Sequence, residues 1–276
     1  HGIPYSGPFA VSYSGDYIQG GPYFPVQLVE SVTFACIFLV IFFLYMRGNR
    51  KHLIPTVMIL CAITKFSLGL IIVGLLVFLP AGSILFKNGW LFMSTLFIPI
   101  SLAGIVMMIK NPELLKKRLN AKEEQREQSL VVKLSGLMFI AGFIVAGLNF
   151  RFDWYMFPKG VSIGATVIYL VAYLLFAEVL RENTYLSRTI EVQENQKVID
   201  TGLYSIVRHP MYSVTLLLFL TMPLILGSVH SFLIFLVYPF IIAKRIKNEE
   251  QLLEKELVGY CEYKKKVKYR LIPFIW

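Results

Sequence analysis

Long apolar runs alternate with short polar segments along the chain from residue 26 onward. A bilayer core about 30 Å thick needs about 20 helical residues to cross it, and runs of that order occur repeatedly. The predicted spans are residues 26–46, 53–79, 89–109, 131–150, 161–180, 210–226 and 229–243. The pattern therefore predicts an all-α polytopic membrane bundle of about seven transmembrane helices.

The last two predicted spans are shorter than the others. At 1.5 Å per residue they are about 25 and 22 Å long, and only Gly227 and Ser228 separate them. We interpret them as a tight helical hairpin that need not cross the bilayer fully and that returns the chain to the side from which it came. Lys65 interrupts the second span, which is otherwise long enough to cross with some tilt.

The composition supports a membrane protein. Hydrophobic residues make up 56% and charged residues 16% of the chain, against about 45–50% and about 25% in average soluble domains. Because the excess is concentrated in long runs, and the mean hydropathy is +0.64, a soluble enzyme and a disordered chain are excluded.

The net charge of +10 would suggest a nucleic-acid partner if the basic residues were not confined to the polar segments between spans. Of the 27 Lys and Arg residues, 23 fall in segments on one predicted side: 47–52, 110–133, 181–209 and 244–276. The opposite loops contain only Lys87, Arg151 and Lys159. The positive-inside rule then predicts an N-terminus outside and a cytoplasmic C-terminus. The basic segments face anionic lipid, and no nucleic acid is expected.

The sequence also divides the chain into parts. Residues 1–25 are rich in Gly, Pro and aromatic residues, and they are either an irregular non-cytoplasmic segment or an expression remnant. Residues 26–160 form an N-terminal bundle with the charged cytoplasmic loop 110–133, and residues 161–276 form a C-terminal core. The three cysteines favour neither a disulfide nor a metal site, so no metal is expected.

Residues 181–213 (RENTYLSRTIEVQENQKVIDTGLYSIVRHPMYS) form a polar stretch of strand-like and turn-like character. His209 precedes Pro210, and a residue before proline is driven out of the α region. Pro210 then suits the first position of the next helix. His209 would therefore lie at a helix N-terminus, where free N–H groups and the dipole attract an anion. The alternative is that Arg208 and His209 only anchor the span at the lipid headgroups.

Residues 243–276 carry a second polar pattern directly after the last span. Arg245 and Glu249 are four residues apart and share one helical face, which Leu252 and Glu256 continue. Gly259 is placed to end this helix. A plain amphipathic helix with a surface ion pair has the same spacing. Its position at the membrane edge favours a functional pair that meets a lipid-borne group and a soluble cofactor.

The order of these motifs resembles a known family. TGLYSIVRHPMYS, RIKNEE, GYCEYKKKV and the terminal LIPFI together look like the isoprenylcysteine carboxyl methyltransferases, which are integral membrane enzymes. The resemblance covers about residues 160–276. It implies that S-adenosyl-L-methionine binds on the cytosolic side, between the RHP segment and the helix after the hairpin. It also implies a lipid-like or prenylated substrate that enters from the bilayer.

The resemblance further implies a set of site residues. Glu249 would accept the cofactor's ammonium group, and Arg245 would hold the substrate carboxylate, which makes these two the candidate catalytic residues. The cofactor-binding residues implied are Gln193, Gln196, Lys197, Val198, Ile199, Tyr204, His209, Pro210, Met211, Tyr212 and Glu249.

The implied reaction is methyl transfer to a carboxylate. A carboxylate with a pKa near ~4 is already the nucleophile at neutral pH, so no general base is required. The enzyme then contributes chiefly by positioning the reacting groups, an effect that can reach about 7–11 kcal/mol.

Three other functions fit parts of the pattern. A phospholipid amine methyltransferase has similar terminal motifs, but it needs a base, for which only Glu250 and His209 are close. The ending VKYRLIPFIW also resembles NADPH-dependent membrane sterol reductases, in which Lys264–Lys266 could bind the 2′-phosphate. A non-enzymatic carrier would need polar residues throughout the spans, where only Lys65 and Glu30 stand out.

Overall fold

The computed structural model describes residues 53–110, 126–183, 185 and 196–276. The chain forms two compact units, residues 1–69 and 70–276. Of the first unit, the described part is residues 53–69, all helical. The predicted segment 1–25, the predicted span 26–46, Gln193 and most of loop 110–133 lie outside the described residues. The predicted boundary near residue 160 stays a prediction.

The described residues are helical almost throughout, which confirms the all-α prediction. The only pairing of β type in this part of the chain is an isolated bridge between Met156 and Ser228. A short 3₁₀ turn covers Gly202–Ser205. The α-helices in chain order are α1 (Leu53–Ala81), α2 (Lys87–Lys110), α3 (Arg126–Arg151), α4 (Lys159–Glu182), α5 (Pro210–Leu226), α6 (Val229–Phe235), α7 (Tyr238–Glu256) and α8 (Tyr260–Lys266).

Strand-like character is not found in the described part of the stretch 181–213. Residues 196–200 are extended but belong to no strand, and the 3₁₀ turn follows them. Gly202 in this turn has a φ of 50°, a left-handed conformation that glycine adopts without steric cost. The turn-like character predicted for this stretch is therefore confirmed at Thr201-Gly202, whereas the strand-like interpretation is wrong for residues 196–205.

Five helical segments in the described residues are long and apolar enough to cross a membrane: Ile63–Ala81, Lys87–Val106, Leu130–Arg151, Lys159–Glu182 and Val229–Glu256. Helix α5 is also apolar but shorter. Large apolar side chains are exposed along outer helix faces, for example Ile71, Leu75 and Leu79 on α1. Such continuous apolar surface indicates contact with lipid. The multi-pass membrane prediction is confirmed, while the number of seven spans stays a prediction.

The predicted hairpin is formed by α5 and the helices after it. Helix α5 ends at Gly227, which is left-handed with a φ of 77°. Ser228 then caps α6, because its hydroxyl accepts a hydrogen bond from the Ser231 N–H at 3.1 Å. Both residues of the predicted turn therefore act as expected.

The predicted span 229–243 lies within the apolar segment Val229–Glu256, but it is not one continuous helix. Helix α6 ends at Phe235 and α7 begins at Tyr238, with Pro239 in its first turn. Proline has no N–H to donate to the carbonyl four residues earlier, and its ring clashes with that carbonyl. Pro239 therefore starts a new helix. Helix α7 then runs without a break from apolar residues at the membrane into the polar segment that carries Arg245 and Glu249.

Helices α4 and α5 pack along each other, and α3 packs against α6. Where α3 meets α6, Gly142 faces the ring of Phe235, and a Cβ at position 142 would lie 2.3 Å from that ring. Only glycine at position 142 lets α3 pack this closely against the Phe235 ring of α6. The core around it contains edge-to-face and tilted ring pairs among Phe92, Phe139, Phe143, Phe219 and Phe235.

A buried polar cluster closes the C-terminal end of α5. The Asn149 Nδ2 donates to the carbonyl of Trp154 at 3.3 Å, and its Oδ1 accepts from the Ser228 hydroxyl at 3.0 Å. The Nδ1 of His230 lies 2.8 Å from the same Oδ1. These bonds tie α3 to the start of α6. The N-terminal end of α5, about 25 Å away at 1.5 Å per residue, holds the site described next.

Candidate functional site

A cleft opens at the N-terminal end of α5, between that helix, α7, α8 and the segment 196–204. Its cavity volume is about 100 Å³, or about 840 Å³ when the open space at its mouth is counted. The enclosed part is therefore smaller than the about 300–1,000 Å³ typical of small-molecule sites. The lining residues are Asn183, Tyr185, Gln196, Lys197, Val198, Ile199, Tyr204, Arg208, His209, Met211, Tyr212, Arg245, Glu249, Leu252, Leu253, Leu257, Tyr260 and Tyr263.

The turn before α5 forms the floor of this cleft. His209 is the residue before the helix, with a φ of −124°, and Pro210 is the first helical residue, as predicted. The N–H groups of Arg208 and His209 donate to the carbonyls of Tyr269 and Arg270, both at 2.9 Å. The segment after α8 therefore runs beside this turn and holds it in place.

Glu250 is the centre of a buried ionic cluster beneath the cleft. Its Oε1 accepts from Arg208 Nε and its Oε2 from Arg270 Nε, both at 2.8 Å. Its side chain is only 3% exposed. The Nη1 of Arg208 also donates to the carbonyls of Val267 and Lys268. Because each carboxylate oxygen of Glu250 already binds a guanidinium, this residue joins α7, the RHP turn and the C-terminal segment.

His209 lies between the two adjacent carboxylates of α7. Its Nε2 is 3.4 Å from Glu250 Oε1, and its Nδ1 is 3.8 Å from Glu249 Oε1. The imidazole also stacks on Tyr212, with ring centroids 5.8 Å apart. The ring is 5% exposed, so it is held as part of the cleft floor. Arg208 is likewise buried and bonded within the protein, which excludes the alternative that this side chain anchors at headgroups.

Glu249, Tyr212 and Arg245 form a polar group on the cleft wall. The Tyr212 hydroxyl donates to Glu249 Oε2 at 2.5 Å and accepts from Arg245 Nε at 3.0 Å. The guanidinium carbon of Arg245 lies 6.0 Å from the centre of the Tyr212 ring. Glu249 is 22% exposed against 3% for Glu250. Of the two carboxylates, Glu249 is therefore the one that a ligand can reach.

The opposite wall is built around Tyr204 in the 3₁₀ turn. The Asn183 Nδ2 donates to the Tyr204 hydroxyl at 3.0 Å, and the Tyr263 hydroxyl donates to the Tyr204 carbonyl at 2.7 Å. Burial raises the pKa of the Tyr204 and Tyr263 phenols well above their ordinary value. Both stay protonated, and they connect α4, the turn and α8.

Ten of the twelve predicted site residues line this cleft: Gln196, Lys197, Val198, Ile199, Tyr204, His209, Met211, Tyr212, Arg245 and Glu249. Pro210 lies behind the lining, almost fully buried, and Gln193 is outside the described residues. The structure thus brings together residues up to 53 positions apart in sequence. Their roles toward a ligand stay predictions.

Sequence reasoning missed several lining residues: Asn183, Tyr185, Arg208, Leu252, Leu253, Leu257, Tyr260 and Tyr263. Leu252 and Leu253 could have been assigned to the cleft, since they follow Glu249 by about one helical turn. Tyr260 and Tyr263 are three residues apart on α8 and therefore share a face. No local signal, in contrast, pairs Arg208 with Glu250, which lies 42 residues away.

The residues present fit S-adenosylmethionine. Glu249 supplies an accessible carboxylate for an ammonium group, and Val198, Ile199 and Leu253 supply apolar surface for a nucleoside. In the part of the chain that the structure describes, no three His, Cys, Asp or Glu residues are grouped as metal ligands. The donor set suits an organic cation with an apolar body.

The fold and the cleft define a class of protein: a multi-pass membrane helical bundle with a polar cleft at the end of a short helical hairpin. Residues 159–257 match the family model described as phospholipid methyltransferase. This family belongs to the same superfamily of integral membrane methyltransferases as the isoprenylcysteine carboxyl methyltransferases. The resemblance predicted from the motifs is confirmed at the level of this superfamily for residues 159–257, and the matched family implies a methyltransferase that uses a methyl donor.

A second comparison found a partial similarity to a sterol reductase. The chain is 31% identical over 91 residues to the delta(14)-sterol reductase TM7SF2 of Mus musculus. The similarity covers 32% of this chain and 22% of that protein. Because the similarity covers so little of the reductase, it shows a similar segment and does not assign the reductase activity to this chain.

Proposed function

We propose that this protein transfers a methyl group from S-adenosylmethionine to the carboxylate of a lipid-like, isoprenylcysteine-type substrate at the cytoplasmic face of a membrane. The observation that carries this proposal is the pair Arg245 and Glu249. They lie on one face of α7, in one cleft, and both contact the Tyr212 hydroxyl. One residue of the pair suits an ammonium group and the other a carboxylate.

Glu249 is proposed to hold the cofactor's ammonium group. Its carboxylate is kept in position by the Tyr212 hydroxyl and by the neighbouring His209 ring. Gln196–Ile199 and Tyr204 would enclose the nucleoside on the opposite wall, where the phenol network of Tyr204 and Tyr263 fixes the turn. When bound, S-adenosylmethionine supplies a methyl group on a cationic sulfur, which keeps the carbon–sulfur electron pair after transfer.

Arg245 is proposed to orient the acceptor carboxylate. A guanidinium can hold a carboxylate through two parallel N–H bonds, which sets its direction as well as its position. Tyr212 supports the guanidinium from one side, so its orientation does not depend on the ligand. The acceptor oxygen supplies the electron pair of the new carbon–oxygen bond, the product is a methyl ester, and no proton has to be removed.

The position of Arg245 supports a substrate that stays in the bilayer. Helix α7 carries the highly exposed Phe240 near its start and reaches Arg245 about 7.5 Å further along its axis. An isoprenoid tail in the lipid and a carboxylate beside Arg245 would then be compatible with one bound molecule. The cytoplasmic placement of this end follows from the charge distribution and stays a prediction.

The cleft offers little support for a reaction that needs a general base. Both oxygens of Glu250 are bound to guanidinium groups, and His209 is buried between two carboxylates. These were the two base candidates for methylation of an amine. A carboxylate acceptor avoids the requirement altogether.

Methylation of a phospholipid amine is nevertheless the second candidate, because the matching family model carries that description. The two acceptors can be separated with the full-length purified protein and S-adenosylmethionine labelled in its methyl group. N-acetyl-farnesylcysteine and phosphatidylethanolamine vesicles are supplied in parallel. A methyl ester releases its label as volatile methanol in alkali, whereas an N-methyl group retains it.

Calorimetry tests which cofactor the protein binds. We expect the protein to bind S-adenosylhomocysteine and not NADPH. Binding of NADPH without binding of S-adenosylhomocysteine would overturn the proposal and favour a reductase, the activity named for the partial relative.

A further inference from the structure

Tyr260, the first residue of α8, has a buried hydroxyl group without a hydrogen-bond partner among the described residues. The residue is 4% exposed, and its side chain lines the cleft. Tyr263, one turn later, provides the contrast, because its hydroxyl donates to the Tyr204 carbonyl. The two tyrosines lie on the same helix face, but only the Tyr263 hydroxyl has a hydrogen-bond partner among the described residues.

A buried polar atom without a partner is rare in native structures and destabilises the fold. Tyrosine hydroxyls in particular find a partner when they are buried. Near Tyr260, the oxygens of Glu250 are occupied by two arginines, and Glu249 Oε2 is occupied by Tyr212. A ligand in the cleft is a partner that this position could acquire.

The surroundings determine which kind of partner suits Tyr260. Burial raises the pKa of its phenol well above the ordinary value, and the Glu250 and Glu249 carboxylates add to this increase while Arg208 opposes it. The phenol therefore stays protonated and acts as a donor. A partner must supply an acceptor oxygen or nitrogen.

We propose that Tyr260 donates a hydrogen bond to the carboxylate of the cofactor's amino-acid end. This inference rests on the proposed function. In an amino acid the carboxylate and the ammonium share one carbon atom, so a ligand whose ammonium is at Glu249 has its carboxylate close by. Tyr260 and Glu249 line the same cleft, so a neutral donor and the proposed ammonium partner face the same bound molecule.

Tyr260→Phe removes only the hydroxyl oxygen and so tests the inference directly. Without ligand, we expect the variant to unfold at the same temperature as the wild type or a higher one, because an unpaired buried hydroxyl has been deleted. Its dissociation constant for S-adenosylhomocysteine should rise about tenfold, the effect of one hydrogen bond to a charged group. The affinity for 5′-methylthioadenosine, which lacks the amino-acid end, should be unchanged.

Tyr263→Phe is the matched control. It deletes a hydroxyl that is already bonded to the protein, so it should lower the unfolding temperature. It should leave the ratio of the two ligand affinities unchanged.

The outcomes separate this inference from the proposal beneath it. A wild-type protein that fails to bind S-adenosylhomocysteine overturns the proposed function. A wild-type protein that binds it with the same affinity as Tyr260→Phe overturns only the role of Tyr260. Equal weakening toward both ligands, or a lower unfolding temperature without ligand, also rejects the carboxylate contact.

Discussion

Arg245 donates a hydrogen bond through Nε to the hydroxyl of Tyr212 at 3.0 Å, so the guanidinium is oriented by a residue of another helix. The same hydroxyl donates to Glu249. The two opposite charges of the cleft are therefore coupled through one phenol oxygen, although they are also spaced for a direct contact along α7. This arrangement lets the roles of the two residues be tested separately.

Arg245→Lys should reduce methyl transfer by about tenfold or more and leave cofactor affinity nearly unchanged. Lysine keeps the charge but loses the planar fork that matches a carboxylate, and hydrogen bonds to charged groups contribute about 1.5–3 kcal/mol. The measurements are turnover with N-acetyl-farnesylcysteine and calorimetry with S-adenosylhomocysteine.

Lys247→Arg, at an exposed position on α7, is the control and should change neither quantity. If Arg245 only forms an exposed ion pair worth about 0.3–0.5 kcal/mol, lysine would replace it with near-normal turnover. Equal losses of turnover and cofactor affinity would instead move Arg245 into the cofactor site.

Glu249→Ala should raise the dissociation constant for S-adenosylhomocysteine by about 10- to 100-fold, because it removes the carboxylate proposed to bind the ammonium group. Glu256→Ala deletes an exposed carboxylate of the same helix and should leave the affinity unchanged. If both variants bind the ligand as tightly as the wild type, Glu249 belongs to a solvated helix face.

Glu250→Gln should destabilise the protein by about 3–5 kcal/mol, since it leaves two guanidinium groups facing a neutral residue in a buried site. Thermal unfolding in detergent, without ligand, measures this effect. Glu249→Gln is the neighbouring control and should have a much smaller effect on unfolding. Similar unfolding temperatures for the two variants would mean that the Arg208–Glu250–Arg270 cluster does not stabilise the fold.

Gly142→Ala should destabilise the bundle by about 1–3 kcal/mol, as overpacking does, because its Cβ would lie 2.3 Å from the Phe235 ring. Gly136→Ala, on the same helix with no atom within 4 Å of the added Cβ, should be neutral or stabilising by up to about 1 kcal/mol. Equal unfolding temperatures for both variants would contradict the packing of α3 against α6.

The orientation can be tested with an impermeant maleimide on sealed cells. Cysteines introduced at Lys247 and Lys265 should be protected from outside, and those at Lys87 and Lys159 should be labelled; all four positions are exposed. The natural Cys261 is also exposed and has to be replaced by serine first. Labelling at position 265 from outside would reverse the orientation. Arg208 is a poor probe position because it is buried and ion-paired.

Several features of the fold could be predicted because they depend on neighbouring residues. The apolar runs located helices α1 to α4 to within a few residues of their observed ends. The Pro210 start of α5 and the Gly227-Ser228 turn follow from local backbone preferences. Gly259 is predicted to end α7, but that helix ends at Glu256, and Gly259, with a φ of 86°, is the residue before α8. The shared face of Arg245 and Glu249 follows from helical periodicity alone.

Other features depend on tertiary contacts and could not be predicted in the same way. From the sequence, Glu250 is a candidate base for an amine reaction, because its position along the chain does not reveal the bonds to Arg208 and Arg270. The bridging role of Tyr212 requires α5 and α7 to be side by side, which no spacing rule provides. The break before α7 is different, because Pro239 is a local signal that disfavours a continuous helix through the preceding turn.

Helix α7 begins among lipid-facing residues and ends beside the cleft without a loop between the two. The height of the reacting groups above the hydrocarbon is therefore set by a rigid rod and cannot be adjusted by a flexible linker. Under the proposed function, a substrate would react only if its carboxylate extends from the bilayer to the depth of Arg245. The length of α7 would then select lipids by the depth of their reactive atom, and a bilayer of different thickness would change which lipids react.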